Sequence, residues 1–433
     1  MSAWAETRLR YVADLNPPVR ADLMAAPDTE VSFLPMEAIS ENGSLNLERT
    51  RPVAEVRNGY SYFEDGDVAF AKVTPCFENG KGALMAGLAH GAGFGTTEIT
   101  VLRPKLGVSA KYLSYVVQSE RFRQLGVGAM TGAGGLKRIP DDFTRDFPTV
   151  WPGSSEQVNI ANFLDDKTAR IDALIAEKER LAGTLKGLRS EAIDHAVLGS
   201  EITVRARALK GLEVLGTIPS EWVPSRMKYE IAYVTSGSRG WADFYTDEGA
   251  LFVRIGNLTR ESIDLDLSDI QRVTLPDAAE GVRARVLSGD LLISITAYLG
   301  SVAVAPSDIE EAYVSQHVSL VRPNQVRALP KWLGYVVLSS IGRTFFDLQA
   351  YGGTKVQLSL EDIRELPVPL PELAVQSKRI VGLEARLDEI DNLATHVVQH
   401  IARLREYRSS LISAAVTGQL DVSTLQGAAA APH

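Results

Sequence analysis

The sequence predicts an α+β protein in which two mixed α/β domains are separated by two long antiparallel coiled-coil helices. Three observations predict this fold class. The chain repeats its own landmarks once, strand-like segments bounded by turns fill each repeat, and each repeat ends in a long helix with an apolar stripe. The predicted architecture is therefore an internal repeat with pseudo-two-fold symmetry.

The internal repeat has a period of about half the chain. From Gly66-Asp67, and again from Gly289-Asp290, similar residues recur in the same order at an offset of about 219 residues. A repeat of this length indicates a duplicated domain pair and not a solenoid of short units. Further recurring pairs are Leu102-Arg103-Pro104 with Val321-Arg322-Pro323, Glu156-Gln157 with Val375-Gln376, and Ala196-Val197-Leu198-Gly199 with Ala415-Val416-Thr417-Gly418.

Residues 1–152 are expected to form the first mixed α/β domain. Apolar segments at 67–73 and 98–102 predict strands, because Gly, Pro and Asn turns bound them. A single helix is predicted from about Ala110 to Leu125. The prolines of 148–152 mark the end of the domain, since such closely spaced prolines cannot lie inside a helix.

Residues 153–200 predict a long central helix. Ser154 or Ser155 is a suitable N-cap, Glu156 favours the first turn, and Gly199 ends the helix. The apolar residues follow a mostly 3-4 alternation, which is typical of a coiled-coil seam. The predicted seam residues are Ile160, Leu164, Ile171, Leu174, Leu181, Leu185 and Leu188.

Residues 201–369 are expected to form the second mixed domain, with the same order of elements as the first. Strand-like apolar segments again alternate with turns, and a proline-rich segment again precedes a long helix. The predicted elements are strands at 251–255, 290–295 and 318–321, a helix from about Pro330 to Asp347, and the proline-rich end at 367–371.

Residues 370–420 predict the second long helix, and residues 421–433 a flexible tail. At 1.5 Å per residue, each long helix would measure about 60 Å. Such a helix with one apolar stripe is not stable alone in water, so we expect the two helices to pair. Because a domain lies between them, they should run antiparallel and hold the domains at opposite ends. The second seam is Ile380, Leu383, Leu387, Ile390, Val397, Ile401, Leu404, Leu411 and Ala415.

The composition indicates a globular protein of more than one domain. At 433 residues the chain is too long for one core, and no apolar run reaches the length of a membrane span. The single cysteine, Cys76, excludes an internal disulfide, and the N-terminus lacks a signal-peptide pattern, so we expect a cytoplasmic protein. A net charge of -9 argues against a nucleic-acid partner unless local basic loops supply the contact.

No catalytic motif is found in the sequence. His396 and His400 have a helical spacing that can hold a metal, but Val397 stands where a zinc-protease motif needs glutamate. We expect these histidines to face solvent or a partner. The glycines of 91–96 predict a loop and not a dinucleotide site, and Cys76 has no evident histidine partner. The chain is therefore expected to have no enzyme activity, metal site or cofactor of its own.

Polar loops on the repeated domains are the remaining functional candidates. Side chains that follow a strand can contact phosphates and base edges, and glycines beside a basic residue allow close backbone approach. The alternative is ordinary turn chemistry on a solvated surface. The candidate DNA-binding residues are Lys72, Thr74, Asn79, Lys81, Lys137 and Arg138 in the first domain, and Ser294, Thr296, Tyr298, Thr354, Lys355 and Gln357 in the second.

Several segments together resemble the specificity subunits of type I restriction-modification systems. The resemblance covers essentially the whole chain apart from the C-terminal tail. One departure is Val375, which stands where the first repeat has Glu156. The segments are 155–165 and 168–175, which resemble the central helical region, 369–376 and 414–420, which resemble the C-terminal one, and 72–81 with 93–98 and 291–296, which look like two subclasses of target-recognition domain.

The resemblance implies a division of labour within a complex. Each mixed domain would be a target-recognition domain that reads one half of a split sequence in double-stranded DNA. The helices would set the spacer and dock two modification subunits, which methylate adenine with S-adenosylmethionine. Two restriction subunits would add ATP- and Mg²⁺-dependent translocation and cleavage. Because the two halves differ in sequence, the expected target is asymmetric and bipartite.

Two other functions stay open at this point. A tandem-domain scaffold that binds proteins and not DNA would fit the acidic charge. A specificity subunit of an orphan adenine methyltransferase, without a restriction subunit, would have the same sequence features. Strong salt dependence of duplex binding would separate DNA recognition from the scaffold, because counterion release accompanies phosphate contact.

Overall fold

The computed structural model describes residues 4–133, 135–199, 212–237, 239–275, 278–350 and 357–422. The chain divides into two compact units. Unit 1 comprises Met1–Arg180 with Val397–His433, and unit 2 comprises Leu181–His396. Each unit contains one globular part and segments of both long helices. The predicted tail at 421–433 falls almost wholly outside the described residues.

The globular part of unit 1 contains ten short strands and six short α-helices among its described residues. Its strands are β1 (Ala5–Arg8), β2 (Ala13–Leu15), β3 (Glu30–Leu34), β4 (Thr50–Pro52), β5 (Ser61–Glu64), β6 (Val68–Ala71), β7 (Gly82–Leu84), β8 (Ala92–Gly95), β9 (Ile99–Pro104) and β10 (Pro148–Trp151). Its helices are α1 (Leu9–Val12), α2 (Ala21–Ala25), α3 (Val53–Val56), α4 (Ala110–Gln118), α5 (Glu120–Ala129) and α6 (Asp141–Asp146).

These strands form two four-stranded sheets and a two-stranded ribbon. One sheet has the order β2-β9-β6-β7 and is antiparallel throughout. The other has the order β4-β3-β8-β5, with β3 and β8 parallel. The ribbon pairs β1 with β10, so the first strand of the part lies against its last.

The globular part of unit 2 repeats this organisation. Its strands are β11 (Val223–Arg226), β12 (Ile231–Ser236), β13 (Tyr245–Thr246), β14 (Ala250–Val253), β15 (Arg272–Val273), β16 (Leu291–Ser294), β17 (Val302–Val304), β18 (Ala312–Val314), β19 (Val318–Pro323) and β20 (Pro367–Leu370). Its helices are α8 (Met227–Glu230), α9 (Ala278–Ala284), α10 (Pro330–Leu338), α11 (Ser340–Ala350) and α12 (Leu360–Glu365).

The second globular part has one sheet that matches the first part strand for strand. The order β12-β19-β16-β17 corresponds to β2-β9-β6-β7, and the β11-β20 ribbon corresponds to β1-β10. The other sheet, β13-β15-β14-β18, keeps the parallel pair, here β14 with β18, but differs at its edges. The sheets that the two parts share therefore follow the repeated landmarks, and the remaining sheet is where the parts diverge.

The two long helices are α7 (Ser154–Leu198) and α13 (Leu373–Val416), of 45 and 44 residues. The residues that follow them take a left-handed backbone, with φ of 66° at Gly199 and 73° at Gly418. This conformation costs little only for glycine, which explains why both helices end here.

Within each unit the helix segments run antiparallel, which confirms that feature of the predicted fold. In unit 1, Arg405 pairs with Glu179 and Arg408 with Asp172, each at 2.9 Å. The partner on α7 moves toward the N-terminus as the residue on α13 moves toward the C-terminus. In unit 2, Arg189 pairs with Asp391 at 2.9 Å, and Arg379 donates to the carbonyl of Ala196 at 3.3 Å.

The predicted seam of α13 is correct, and that of α7 is partly wrong. Every predicted α13 seam residue is buried or half-buried. On α7, however, Leu174, Leu181 and Leu188 are 46%, 39% and 38% exposed. The inward-facing stripe of α7 instead mixes large apolar residues with alanines and charged residues, which obscures its hydrophobic periodicity. It is Ile171, Ile175, Lys178, Ala182, Leu185, Arg189, Ala192 and Ala196, each buried or half-buried.

The two shorter predicted helices are each broken in two by a serine. Ser119 separates α4 from α5, and Ser339 separates α10 from α11. Both serines have an extended backbone, and both hydroxyls donate to a carbonyl of the preceding turn, from Ser119 at 2.6 Å and from Ser339 at 2.7 Å. Each also accepts an N–H of the next helix, so the prediction of one continuous helix is wrong in both parts.

No helix among the described residues is long and apolar enough to cross a membrane.

Candidate nucleic-acid interface

In unit 1, the loop that follows β6 meets the Gly-rich loop that follows α5. The Thr74 hydroxyl joins them, because it donates to the Gly135 carbonyl at 2.8 Å and accepts the Lys137 N–H at 3.0 Å. The Thr74 N–H also donates to the Lys137 carbonyl at 3.0 Å. The structure thus brings two sequence-distant candidates, Thr74 and Lys137, together, and it gives the Thr74 hydroxyl a role in holding the loops.

Arg138 lies at the base of the Gly-rich loop and is paired with Glu98. Its Nε donates to Glu98 Oε2 at 2.9 Å, and its Nη2 donates to Oε1 at 2.6 Å. These hydrogen bonds, with a smaller contribution from the charge of Lys72, hold the pKa of Glu98 below its ordinary value. The carboxylate therefore stays ionised under physiological conditions and keeps the guanidinium oriented.

The lysines of this interface differ in exposure. Lys137 is exposed at the loop, whereas Lys72 is half-buried. Neither ammonium group has a hydrogen-bond or ion-pair partner among the described residues. Lys72 and Lys137 beside the single Arg138–Glu98 pair make this surface locally basic despite the acidic chain, which suits contact with phosphates.

Asn79 and Lys81 lie elsewhere, on a polar cleft of about 630 Å³ within unit 1. The cleft is bounded by the loop at 37–44 and by the helix segments of the same unit, and it also contains Arg123. Lys81 is half-buried, and its ammonium donates to the Met36 carbonyl at 3.3 Å. These two candidates therefore do not join the Thr74–Arg138 cluster, although they follow the same strand.

In unit 2, the end of β16 and the loop after it contain three of the candidates in different environments. Ser294 is fully buried, and its hydroxyl donates to the Thr296 carbonyl at 2.7 Å, so its prediction as a surface contact is wrong. The Thr296 hydroxyl is hydrogen-bonded to His317 Nδ1 at 3.1 Å. Tyr298 is 67% exposed, and Gln357 is exposed beside this loop. The candidates Thr354 and Lys355 lie outside the described residues.

The sequence analysis missed Glu98 and His317. Glu98 pairs with Arg138 in the first globular part, and His317 contacts Thr296 in the second. Each directly precedes a central strand, β9 or β19, and reaches a loop from another segment of the chain. The signal that could have found them is their equivalent place in the repeat, because each precedes the recurring Arg-Pro landmark by the same distance.

Comparison with known proteins gives a family match for one segment of the chain and several similar proteins. A family model for the type I restriction modification DNA specificity domain matches residues 277–401. The specificity subunits of the type I restriction enzymes EcoEI and EcoAI from Escherichia coli are 36% identical over 159 residues and 39% identical over 160 residues. Each alignment covers 36% of this chain but only 26% of the relative.

A further curated relative and two solved structures extend over more of the chain. The EcoBI specificity subunit from Escherichia coli is 21% identical over 302 residues, covering 68% of this chain and 63% of the relative. A structure from a study of complex assembly and conformational transition of the type I R-M system covers 97% of this chain and 99% of its own, with a TM-score of 0.75 and 17% identity.

The HsdS subunit from Thermoanaerobacter tengcongensis gives a TM-score of 0.53 at 17% identity, covering 97% of this chain and 98% of that one. At such identities the two solved structures establish the shared fold. Residues 277–401 thus match the type I restriction modification DNA specificity domain, and the chain is similar to curated type I specificity subunits over 26% to 63% of their length.

Proposed function

We propose that this chain is the DNA sequence-specificity subunit of a type I restriction-modification complex, in which each globular part reads one half of an asymmetric bipartite site. The observation that carries this proposal is the pair of polar loop clusters, built on matching strands but with different side chains. The loop after β6 meets Lys137 and Arg138, and the loop after β16 meets Gln357. Matching strands that present different loop side chains suit contact with two different DNA half-sites.

The proposed partners are double-stranded DNA and two modification subunits, which methylate adenine at N6. We propose that the paired segments of α7 and α13 dock these subunits and set the spacer between the half-sites. Two restriction subunits complete the system. S-adenosylmethionine, ATP and Mg²⁺ belong on the partner subunits, and this chain contributes recognition without catalysis.

The first test is the composition of the complex. The chain is co-expressed with the modification subunit of its system, and the complex is separated by size exclusion with mass determination. Two modification subunits per copy of this chain are expected. If no complex forms, the tandem-domain scaffold becomes the better explanation.

The second test is the methylated sequence. Methylome sequencing of a host that carries this chain and its modification subunit should yield an asymmetric motif with an unspecified spacer. A palindromic or uninterrupted motif would contradict two different half-site readers. The same motif in a system without a restriction subunit would identify an orphan methyltransferase.

The acidic chain predicts that tight DNA binding needs the modification subunits. With a net charge of -9, the isolated chain is expected to bind duplex DNA weakly, because long-range repulsion opposes the local basic loops. Titration of labelled duplex with the isolated chain and with the complex, across a series of salt concentrations, measures this. Tight sequence-specific binding by the isolated chain at physiological salt would refute it.

A further inference from the structure

Three chain segments form one hydrogen-bonded frame in the first globular part. The Lys72 N–H donates to the Glu98 carbonyl at 2.8 Å, and the Ile139 N–H donates to the Lys72 carbonyl at 2.8 Å. The next residues, Val73 and Arg138, pair as an antiparallel bridge. These contacts fix three segments against one another: the residues that follow β6, the residue before β9 and the segment after α5.

The second globular part contains the same frame. The Ile295 N–H donates to the His317 carbonyl at 3.1 Å, and the Leu358 N–H donates to the Ile295 carbonyl at 2.9 Å. The next residues, Thr296 and Gln357, pair as an antiparallel bridge. Every backbone contact of the first frame thus has its counterpart in the second.

This correspondence assigns equivalent positions by contacts and not by sequence similarity. Arg138 corresponds to Gln357, and Glu98 corresponds to His317. The backbone is shared at both positions, but the side chains differ in charge, size and hydrogen-bonding pattern. Both Arg138 and Gln357 are exposed, so a duplex can reach them.

Arg138 is held in place before any ligand binds. Its backbone makes two hydrogen bonds to Thr131, at 2.8 and 3.0 Å, and Glu98 engages the Nε and Nη2 atoms of its side chain. No described residue accepts a hydrogen bond from Nη1, and the Arg138 side chain is 48% exposed. The outer edge of the guanidinium is therefore free and already oriented.

A guanidinium edge with two parallel N–H donors matches guanine in the major groove. Guanine presents two acceptors there, O6 and N7, and arginine binds both at once. A carboxylate behind the arginine reduces the freedom that binding would remove, which improves discrimination between bases. Glu98 is thus a positioning residue for Arg138.

Gln357 offers a different pattern at the equivalent position. Its amide has one donor group and one acceptor, which match adenine N7 and N6 in the major groove. The neighbouring His317 ring is occupied by the Thr296 hydroxyl at 3.1 Å and by the Gln316 amide at 3.0 Å. The Gln357 side chain has no hydrogen-bond partner in the described part of the chain.

We propose that Arg138 and Gln357 are equivalent base-reading positions, with Arg138, held by Glu98, reading a guanine in one half-site and Gln357 reading an adenine in the other. This inference rests on the proposed function, because it assigns bases within the two half-sites. It also predicts that the half-sites differ because arginine stands at position 138 and glutamine at the equivalent position 357.

The first experiment determines motifs for the complex of this chain with its modification subunit, by methylome sequencing and by methylation of duplexes substituted at each base. Arg138→Ala should abolish preference for guanine at one position of one half-site, with discrimination there falling about 10- to 100-fold, and leave the other half-site unchanged. Glu98→Gln should weaken discrimination at the same position. Arg145→Gln is the matched control, because Arg145 is 47% exposed and also pairs with a carboxylate, Asp142.

An exchange of the two positions gives the sharper test. The double substitution Gln357→Arg with His317→Glu should convert one adenine of the second half-site to guanine. Its single substitutions should lose the original preference without gaining the new one. An unchanged motif in Arg138→Ala and in the exchange variant, with the complex intact by size exclusion, would overturn the assignment.

Failure of the proposed function gives a different result. In that case the wild-type complex itself shows no sequence-specific methylation or duplex binding. A specific wild-type motif that contains no guanine in one half-site and no adenine in the other would refute the base assignment alone.

Discussion

Gln157 and Gln376 occupy equivalent buried positions at the starts of the two long helices and share two hydrogen bonds. Each side-chain carbonyl accepts the N–H of the residue that caps a globular-part helix, Ser109 before α4 at 2.9 Å and Leu329 before α10 at 2.8 Å. Each amide donates to a proline carbonyl, of Pro152 at 2.9 Å or of Pro371 at 2.8 Å. In each unit, one side chain thus ties a globular part to the long helix that follows it.

Substitution of Gln376 is expected to destabilise unit 2. Gln376→Leu leaves the Leu329 N–H and two buried carbonyls without partners, so the free energy of unfolding should fall by about 2–4 kcal/mol. Chemical denaturation followed by circular dichroism measures the loss. Ser377→Ala, at the exposed neighbouring position, is the control and should change stability by less than about 0.5 kcal/mol. Equal stability of the two variants would contradict this role.

The repeated Gly-Asp and Arg-Pro landmarks form equivalent buried Asp–Arg ion pairs in the two globular parts. The Asp67 carboxylate is 2% exposed and accepts two hydrogen bonds from Arg103, both at 2.8 Å. The Asp290 carboxylate is 1% exposed and accepts from Arg322 at 2.8 and 2.7 Å. These landmarks recur because they join adjacent strands of the shared sheet, β6 with β9 and β16 with β19.

Removal of the buried Asp290 charge should therefore lower the free energy of unfolding more than removal of an exposed carboxylate charge. Asp290→Asn should lower the free energy of unfolding by about 2 kcal/mol, less than for a fully buried pair because Arg322 is one-third exposed. Asp308→Asn, at an exposed site of the same unit, should be within about 0.5 kcal/mol of wild type. A double-mutant cycle with Arg322→Met would show a coupling energy near zero if the two residues acted independently.

The sequence predicted the repeat, the sheets that the halves share and the antiparallel helices, because these depend on periodicity and on landmarks visible in both copies. It did not predict the breaks at Ser119 and Ser339, since a serine that caps a new helix is also tolerated inside a helix. The predicted positions of the α7 seam residues were also partly wrong. The seam holds Lys178 and Arg189, and such long side chains pack their methylenes while the charge reaches solvent.

The candidate site was predicted only in part, for a related reason. The loop residues Thr74 and Arg138 could be recognised by type, but their meeting depends on contacts between segments far apart in sequence. Glu98 and His317 looked like ordinary residues before a strand. Their equal distance from the Arg-Pro landmark hints at equivalence, but only the backbone hydrogen bonds show that each contacts the same pair of loops.

The corrected α7 stripe gives a direct prediction with a matched pair of leucines. Leu185 is 6% exposed and Leu188 is 38% exposed on the same helix. Leu185→Ala should lower the free energy of unfolding by about 2–3 kcal/mol, since it removes buried methyl groups and leaves a cavity. Leu188→Ala should cost less than about 0.5 kcal/mol. Thermal denaturation of both variants measures the difference, and a larger loss for Leu188→Ala would restore the originally predicted seam.

The acidic residue before the proline-rich end of the second globular part should make its stability depend on pH. Glu365 pairs with Arg226 and Lys228 beside the β11-β20 ribbon. The hydrogen bond from Lys228, aided by Arg226, holds the pKa of Glu365 below its ordinary value of 4.5. A lowered pKa in the folded state means that the stabilisation is complete above pH 4.5 and is lost as the pH falls through the lowered pKa.

Comparison of wild type with Glu365→Gln across pH isolates this contribution from that of the other carboxylates. At neutral pH the wild type should be more stable, by about 1 kcal/mol for a partly exposed ion pair. Below the lowered pKa the difference in unfolding free energy should shrink, because protonated glutamate and glutamine carry the same charge. Urea denaturation at neutral pH and near pH 3 measures both differences. The acidic condition lies about one pH unit or more below the ordinary carboxyl pKa. A difference that stays constant with pH would show that Glu365 acts through packing and not through its charge.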